Sequence, residues 1–596
     1  MKRFTYLLVM IFLVLSGIPM VGATRISPAR SVYYVATNGN DANSGSSYAP
    51  WRTIAHAVDK VPDSNSTIVV RDGVHDECVV ITRRFASALL IRAEHPYRVR
   101  WQCDQPVPIL KIGQSKNITV QGFEFTRPDL SADHRWFVVV WKGGDTWSEN
   151  IILRDNIFHD SVNNDLLRIG RGARNVTVEG NMFYNQSGPD EHIDVNAVTD
   201  TAIQDNIFFN DFAGSDRVNR NDTTSYIVIK DTAGAADGVI GAQRISVRRN
   251  IFLNWEGRQR CFVLLGEDGI GTFEAVDVTI ENNLMLGNSP NPMYSPIAIR
   301  GSKAITVRAN TIVGDLPALY FGIGSFIVGD NPRNEGISIH NNIWSDPTGT
   351  MGYQFSCCDR SQTTSFTFDN NLFFNDGNPF PASETPFVEV TDDAQRVVGN
   401  PKLGDQDGGI TVPRWNGAGF DGGYETIRGA FEGLVGQCGA LGLGSAAIHR
   451  ADPAHMPIDD ILGNVRSDID IAPDIGAYEA VGFALTVEPT FHHIDPGESA
   501  SYAISIEPRV VTGSVSILTG RVPQGITMHL TAVSVPVPGA ATLILTSTRN
   551  LAPSIPGEFV KLPITATGSG FTRTTKVNLL VGGTCVYLPV VFREWL

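Results

Sequence analysis

Charged and polar side chains recur at similar places in a series of short apolar stretches along the middle of the chain. Arg168, Asp194, Asn196, Lys230 and Arg300 each stand beside Ile, Val or Leu residues that suit a core. If those aliphatic residues point inward on extended strands, the five polar side chains point outward. Together they place cations, a carboxylate and an amide on one face, which are groups that bind a charged ligand and transfer protons.

Such a face suits an acidic polysaccharide as partner, and cleavage by β-elimination is the leading hypothesis. That reaction needs a cation beside the uronate carboxylate, a base for the C5 proton and an acid for the leaving oxygen. Arg168, Lys230 and Arg300 are the candidates for the cation, and His192 or Lys230 is the candidate for the base, so the catalytic residues that we assign are Lys230, Arg168 and His192. The residues assigned to substrate binding are Asn196, Arg300 and Trp141.

Carboxylates near the same face indicate a Ca²⁺ site, because Ca²⁺ prefers oxygen ligands. We assign Asp194, Glu267 and Asp268 as its ligands, with Asp190 and Glu191 as further candidates. Calcium is therefore the one cofactor that the sequence predicts.

Two other functions remain open at this point. A glycoside hydrolase needs two carboxyl groups about 5–5.5 Å apart for retention or about 6.5–9.5 Å apart for inversion. Asp194 with Glu267 or Asp268 would supply such a pair. In a non-catalytic carbohydrate-binding or adhesive protein, the same face would bind sugar together with Trp141 and Trp255.

One short pattern recurs eight times and predicts the elements that position these residues. It reads IILRDNIFH from Ile151 and VTVEGNMFY from Val176, with apolar and polar residues alternating before a fixed asparagine. The alternation indicates a strand with one buried face. The asparagines are Asn156, Asn181, Asn206, Asn250, Asn283, Asn310, Asn342 and Asn371.

Each asparagine is expected to form a corner, because Asn tolerates the left-handed conformation. The apolar pair that follows usually ends in Phe or Trp, which predicts an internal aromatic stack. Repeats of about 25 residues or more without a helix predict an all-β, right-handed parallel β-helix (solenoid). An alternative strand register, obtained by counting ten residues back from the asparagines, selects Arg171, Asn196 and Arg300 as the outward residues. We prefer the register in which Arg168, Asp194 and Lys230 point outward, because it keeps the apolar residues inside.

Residues 31–400 resemble the right-handed parallel β-helix proteins of the pectate-lyase superfamily. The resemblance includes the stretch from Tyr33 to Ile54, which is similar to the usual beginning of these proteins, and an amphipathic cap that buries Ile54, Val58 and Val61. It implies a protein that acts on a polysaccharide. The stretches Asp165–Gly170 and Glu191–Asn196 resemble the alginate lyase and chondroitinase B family, whose catalytic Lys follows the Asn; here Ala197 stands in that place.

The C-terminal third changes character twice. Residues 401–480, with Asp474-Ile475-Gly476-Ala477-Tyr478-Glu479, resemble the choice-of-anchor Q segment of exported β-helix proteins. Residues 483–582 contain short alternating strands and turn signals, which predict a β-sandwich, and they resemble bacterial immunoglobulin-like modules. The tail, residues 583–596, resembles short C-terminal sorting tails of bacterial surface proteins.

Residues 1–23 read as a secretory signal peptide, with Lys2 and Arg3 before an apolar run and a small-residue cleavage site. The net charge of −15 argues against nucleic acid as the partner. No further apolar stretch is long enough to span a membrane, so we expect a monomer that is secreted or held at the cell surface. The seven cysteines leave at least one thiol without an intramolecular partner.

Overall fold

The structure is a computed structural model that describes residues 31–582 except 128–135, 143–145, 232–240, 288, 317, 405–408, 443, 467–471, 481, 509–512, 549–556 and 569–570. The predicted signal peptide and C-terminal tail lie outside the described residues.

Three parallel sheets make up a β-solenoid of about ten turns, which confirms the predicted fold class. Sheet A consists of Ser31–Val35, Ser66–Val70, Arg84–Ala93, Lys116–Gln121, Glu149–Arg154, Arg174–Glu179, Thr199–Gln204, Ala242–Arg248, Ala275–Glu281, Ser302–Arg308, Glu335–His340 and Phe366–Asp369. Sheet B consists of Gly73–Asp76, Val99–Gln102, Phe123–Phe125, Ile157–His159, Met182–Tyr184, Ile207–Phe209, Ile251–Phe252, Leu284–Leu286, Thr311–Val313, Ile343–Ser345, Leu372–Phe374 and Val397–Val398. Sheet C consists of Val79–Ile81, Leu110–Gly113, Val138–Trp141, Leu167–Gly170, Glu191–Asn196, Ser225–Lys230, Cys261–Leu265, Ser295–Arg300, Tyr320–Phe326 and Gln354–Cys357.

The eight repeat asparagines form one continuous ladder inside the solenoid. Each is fully buried, and the Nδ2 of each one except the last donates to the Oδ1 of the next asparagine, as from Asn181 to Asn206 at 3.1 Å. The last of them, Asn371, donates to Asp393 Oδ2 at 2.9 Å. The positive φ that turns the corner belongs to the residue before the asparagine, such as Asp155 at 53°, and not to the asparagine as predicted. The reason is that the asparagine side chain must point inward to reach the neighbouring turn.

The predicted aromatic stack is present over part of the solenoid. The rings of Phe158 and Phe183 lie 4.7 Å apart and nearly parallel, and the stack continues through Phe208 to Phe252. The next two turns place Met285 and Ile312 in register with it. Packing of inward side chains from all three sheets produces one apolar core along the solenoid.

The short helix Ile54–Lys60 buries Ile54 and Val58 against the first turns, where the sequence predicts a cap. Disulfides join Cys78 to Cys103 and Cys357 to Cys358. Cys261 is a buried free thiol, Cys438 is buried and belongs to neither disulfide, and Cys585 lies outside the described residues.

Residues 401–480 fold back over the outer face of sheet B. The helix Ile427–Leu434 buries Phe431 and Leu434 against Ile207 and Ile251 of that sheet, and it continues as the π-helix Val435–Gly439. The remaining short elements are the 3₁₀ turns Ala213–Ser215, Arg360–Gln362, Val390–Asp392 and Pro453–His455.

The Asp474–Glu479 stretch is fastened to the solenoid by Arg466. This buried guanidinium donates to Glu479 Oε2 at 3.0 Å, to Gly476 O at 2.7 Å and to Asn282 Oδ1 at 2.9 Å. Asn282 follows directly on a strand of sheet A, so Arg466 joins the folded-back segment to the repeats.

The C-terminal residues form the predicted β-sandwich. Two sheets share one buried cluster that includes Tyr502 and Leu543 from the first sheet and Leu562 and Val577 from the second. The first sheet consists of Phe483–Glu488, Ser499–Pro508, Gly539–Ser547 and Ile526–Leu530. The second consists of Phe491–Ile494, Phe571–Val581, Glu558–Gly568, Gly513–Thr519 and Ser534–Val537.

Candidate functional site

The outer face of sheet C carries the charged residues that the sequence singled out. Ile169, Val195 and Ile229 are fully buried in the solenoid core, so the residues between them face outward. Arg168 is in register with Asp194. This confirms the preferred strand register over the alternative count, because Arg171 lies after the strand end, with φ 48°.

His192 lies inside the solenoid, and the sequence-based assignment of this residue as a base is wrong. Its ring has no exposed surface and stacks on Tyr226 at 4.4 Å. Its Nε2 lies 3.0 Å from Asn210 Oδ1. Burial lowers the pKa of His192 to about 3, despite the hydrogen bond to Asn210. A polymer on the outer face therefore has no access to this imidazole.

Arg168 lies at the centre of the outer face, and its side chain is 27% exposed. Its Nη1 lies 3.2 Å from Asp194 Oδ2 and 4.0 Å from Asp165 Oδ2. The guanidinium carbon lies 5.0 Å from the centre of the Trp136 ring. The predicted cation is thus accessible, but it is already paired with carboxylates of its own sheet.

Four carboxyl groups form what we call the carboxyl cluster: Asp165, Asp190, Glu191 and Asp194. Oxygens of the first three lie within 4.8 Å of one another. The backbone N–H of Glu191 donates to Asp165 Oδ1 at 3.1 Å, and the Thr224 hydroxyl donates to Glu191 Oε1. The Oδ1 atom of Asp194 is buried and has no hydrogen-bond partner.

Three carboxyl groups of this cluster have raised pKa values. Burial, followed by the charge of Asp194, raises the pKa of Asp190 to about 6. Burial and like-charge neighbours also raise the pKa values of Asp165 and Glu191 well above their usual range. Asp190 is only half-buried, whereas Asp165 and Glu191 are buried. Asp190 is therefore the member of the cluster that combines an elevated pKa with access to solvent.

Lys230 is held by acidic residues from a neighbouring turn. Its Nζ lies 2.6 Å from Glu267 Oε2 and 3.5 Å from Asp268 Oδ1, and its side chain is 14% exposed. Burial alone would lower the pKa of Lys230, but the charges of Asp194, Glu267 and Glu191 raise it well above its usual range. An amine that stays protonated is a poor base at neutral pH.

The predicted Ca²⁺ ligands are not the ones that the structure gathers. Glu267 and Asp268 pair with Lys230, and Asp194 pairs with Arg168. Among the described residues, the carboxylates on this face with oxygens close enough to share a cation are Asp165, Asp190 and Glu191. A role for Ca²⁺ stays a prediction.

The three predicted substrate-binding residues differ in their access to solvent. Asn196 and Arg300 are buried, and the Arg300 guanidinium carbon lies 4.6 Å from the centre of the Phe326 ring. Trp141 is half-buried at the end of its strand, beside an open cavity of about 400 Å³. Trp255 is a core residue whose Nε1 donates to Arg258 O at 2.9 Å, so its suggested role in sugar binding is wrong.

Sequence reasoning missed two members of this face, Asp165 and Lys111. Asp165 precedes its strand and looks like a loop residue, although it lies against Glu191 of the next turn. Lys111 belongs to a turn in which Phe123 occupies the place of the repeat asparagine, so the repeat pattern does not extend to it. The period-two alternation of Leu110, Lys111 and Ile112 is the signal that could have found Lys111.

Comparisons with known proteins assign neither a family nor an activity to this chain. No protein-family model matches the chain, so the resemblances of residues 401–480 and 483–582 to named modules rest on sequence pattern only. The uncharacterized protein YwoF of Bacillus subtilis (strain 168) is 23% identical over 135 residues, which are 21% of this chain and 27% of YwoF. The chain thus spans about a quarter of the curated relative that it matches.

Several solved structures are similar to this chain over more than half of its length, at low identity. The GH136 lacto-N-biosidase from Eubacterium ramulus is 13% identical, with a TM-score of 0.43 over 61% of this chain and 66% of that one. XylC in complex with xylose is 12% identical, with a TM-score of 0.42 over 76% of this chain and 98% of XylC. PfbA, a surface adhesin of Streptococcus pneumoniae, is 15% identical, with a TM-score of 0.35 over 52% of this chain and 68% of PfbA. No helix among the described residues is long and apolar enough to cross a membrane.

Proposed function

We propose that the protein binds a polysaccharide across the outer face of sheet C and hydrolyses glycosidic bonds at the carboxyl cluster. The observation that carries this proposal is Asp190, a half-buried carboxyl group with a pKa of about 6 beside the ion-paired carboxylate of Asp194. A carboxyl group that keeps its proton near neutral pH can act as the general acid of glycoside hydrolysis.

In the proposed reaction, Asp190 donates its proton to the glycosidic oxygen while the bond from that oxygen to the anomeric carbon breaks. Water bonds through its oxygen to the anomeric carbon and releases a proton to the solvent, from which Asp190 regains its acid form. Asp194, only 3% exposed and paired with Arg168, supplies the charge that helps to raise the pKa of Asp190. One water is consumed, and its atoms are divided between the two new sugar ends. The charge of Arg168 orients Asp194 in this scheme and does not exchange a proton.

Hydrolysis replaces β-elimination as the preferred reaction because neither of the two bases that the sequence suggests is suited to elimination. His192 is enclosed by the core, and Lys230 is held in its protonated form by the charges of Asp194, Glu267 and Glu191. Neither side chain is suited to remove the C5 proton of a uronate on the outer face. A lyase would have to use a different residue from either of those that the sequence suggested.

We further propose that the protein acts outside the cell, either secreted or attached to the surface. The Cys78–Cys103 disulfide supports this location, because such bonds persist in oxidising compartments. The apolar N-terminal segment of the sequence is consistent with export.

The proposal is tested by incubating the purified protein with a panel of neutral and acidic polysaccharides, with and without Ca²⁺. We expect new reducing ends without the ultraviolet absorbance of unsaturated uronates. Asp190→Asn should lower the rate by about 10²–10⁴-fold, whereas Asp277→Asn, an exposed carboxylate on sheet A, should not. Unsaturated products would establish elimination, and binding without any cleavage would establish a carbohydrate-binding protein.

A further inference from the structure

We infer that the protein recognises an anionic sugar residue on a surface beside the carboxyl cluster, and that its polymer therefore carries charged and uncharged sugars in mixed order. The surface, which we call the Trp141 platform, consists of Lys111, Trp141, Lys142 and Arg171. The inference rests on the proposed function and names the substrate class for the same face.

The Trp141 platform surrounds an open cavity of about 400 Å³ on the outer face of sheet C. Lys111 Nζ lies 5.0 Å from the centre of the Trp141 ring, and the Arg171 guanidinium carbon lies 4.6 Å from it. Lys142 also lines the cavity, so three cations face one space. An aromatic ring held among cations offers both an apolar surface for a sugar and charges for its acidic group.

Two of these cations lack a carboxylate partner. Neither Lys111 nor Arg171 lies within 4.0 Å of a carboxylate among the described residues. On the same sheet, Arg168 is paired with Asp194 at 3.2 Å, and Lys230 is paired with Glu267 at 2.6 Å. In a chain with a net charge of −15, unpaired cations around one cavity leave a local positive potential for an anion.

The backbone leaves room for a ligand on the Gly113 side of Trp141. The residues in register with it on the two neighbouring strands are Gly113 and Gly170. A Cβ at Gly113 would meet only the Lys111 side chain, at 3.8 Å, so the space beside the ring is open. The same row continues to Asn196 on the next strand, which joins the Trp141 platform to the carboxyl cluster.

The carboxyl cluster offers no comparable cation. Asp194 lies two strands across and two residues along from Trp141, or about 12 Å at ~4.8 Å between paired strands and ~3.3 Å per residue. An anionic sugar at the cluster would find the nearby cations Arg168 and Lys230 already paired with carboxylates. An uncharged sugar needs no cation there. The two surfaces together therefore favour a polymer in which an acidic residue lies near an uncharged one.

Binding measurements with the full chain carrying Asp190→Asn test this inference independently of cleavage. The probes are hyaluronan, in which a uronate alternates with an uncharged amino sugar, polygalacturonate, in which every residue is charged, and an uncharged xylan. We expect hyaluronan to bind most tightly by calorimetry at moderate salt. Lys111→Gln and Arg171→Gln should each weaken that binding by about tenfold, whereas Arg244→Gln, on sheet A, should not.

Equal affinity for xylan and hyaluronan, or unchanged hyaluronan binding in both platform variants, would overturn the inference. Tightest binding to polygalacturonate would overturn the mixed-polymer part of it, since the carboxyl cluster would then tolerate charge. The two proposals fail separately. If the platform variants lose hyaluronan binding but the wild type cleaves no polymer, hydrolysis alone is refuted. If the wild type cleaves polymer and the rate is unchanged in Lys111→Gln and Arg171→Gln, the platform alone is refuted.

Discussion

The proton on Asp190 distinguishes hydrolysis from simple binding at the outer face of sheet C. The pKa of Asp190 is raised to about 6, so the acid form that donates the proton is lost as the pH rises through that value. We expect the rate of reducing-end formation to fall above about pH 6. In Asp190→Asn the side chain at this position has no proton to lose, so the residual rate should not fall as the pH rises above about 6. A wild-type rate that is flat between about pH 5 and 8 would contradict the assignment.

For His192, in contrast to Asp190, we expect a substitution to leave activity unchanged. Because its ring is stacked on Tyr226 inside the core, His192→Phe should leave the rate of cleavage and the affinity for polymer unchanged within about twofold. The variant loses the 3.0 Å contact with Asn210, so a stability loss of about 1 kcal/mol is expected in urea unfolding. A large fall in rate with normal folding would show that the imidazole reaches the substrate after all.

At the scale of the element, the asparagine ladder fixes the distance between successive turns. Asn250 donates to Ile203 O at 2.9 Å and to Asn283 Oδ1 at 3.0 Å, and its own Oδ1 accepts from the backbone N–H of Asn206. Asn250→Ala leaves buried polar groups without partners, so we expect a loss of at least ~2 kcal/mol in the free energy of unfolding.

The matched control is Asn175→Gly. Asn175 is exposed and has a φ of 50°, which glycine adopts without strain, so its stability should change by only about 0.5 kcal/mol. Chemical unfolding followed by circular dichroism measures both variants. Similar losses in the two would mean that the buried ladder contributes little beyond an ordinary turn asparagine.

At the scale of the whole molecule, residues 401–480 act as a cover for sheet B. Phe431 is fully buried between the helix Ile427–Leu434 and that sheet, so Phe431→Ala should cost about 3–5 kcal/mol. The loss should appear as faster proteolysis within residues 401–480. Phe559→Ala, at a half-exposed position of the sandwich, should leave the proteolytic pattern unchanged.

Stability should also decline on the alkaline side because of His159. Burial alone would lower the pKa of His159, but Asp160 and Glu124 raise it to about 9, above its unfolded value of about 6.5. The protonated ring therefore stabilises the folded state fully below about pH 6.5, and that contribution is lost as the pH rises to about 9.

Urea midpoints measured across this pH range test the effect. The wild type should lose stability more steeply with pH than His159→Gln does. His493→Gln, at an exposed position of the sandwich, should retain the wild-type slope. Equal slopes in wild type and His159→Gln would mean that the ring is not protonated in the folded state.

The sequence by itself determined the solenoid, the ladder of asparagines and which residues of sheet C face outward. These features follow from local periodicity and burial, so the alternation of residue types was enough to assign Ile169, Val195 and Ile229 to the core. The C-terminal sandwich was predictable for the same reason.

Only the tertiary structure decided how the charged groups of the outer face are paired. Lys230 meets Glu267 across 37 residues, and Asp165 joins Glu191 of the next turn. These contacts depend on where long loops return, which no local pattern encodes. His192 shows the same limit, because it shares the alternation of the outward residues Asp194 and Asn196, yet it is fully buried and stacks on Tyr226 of the next turn.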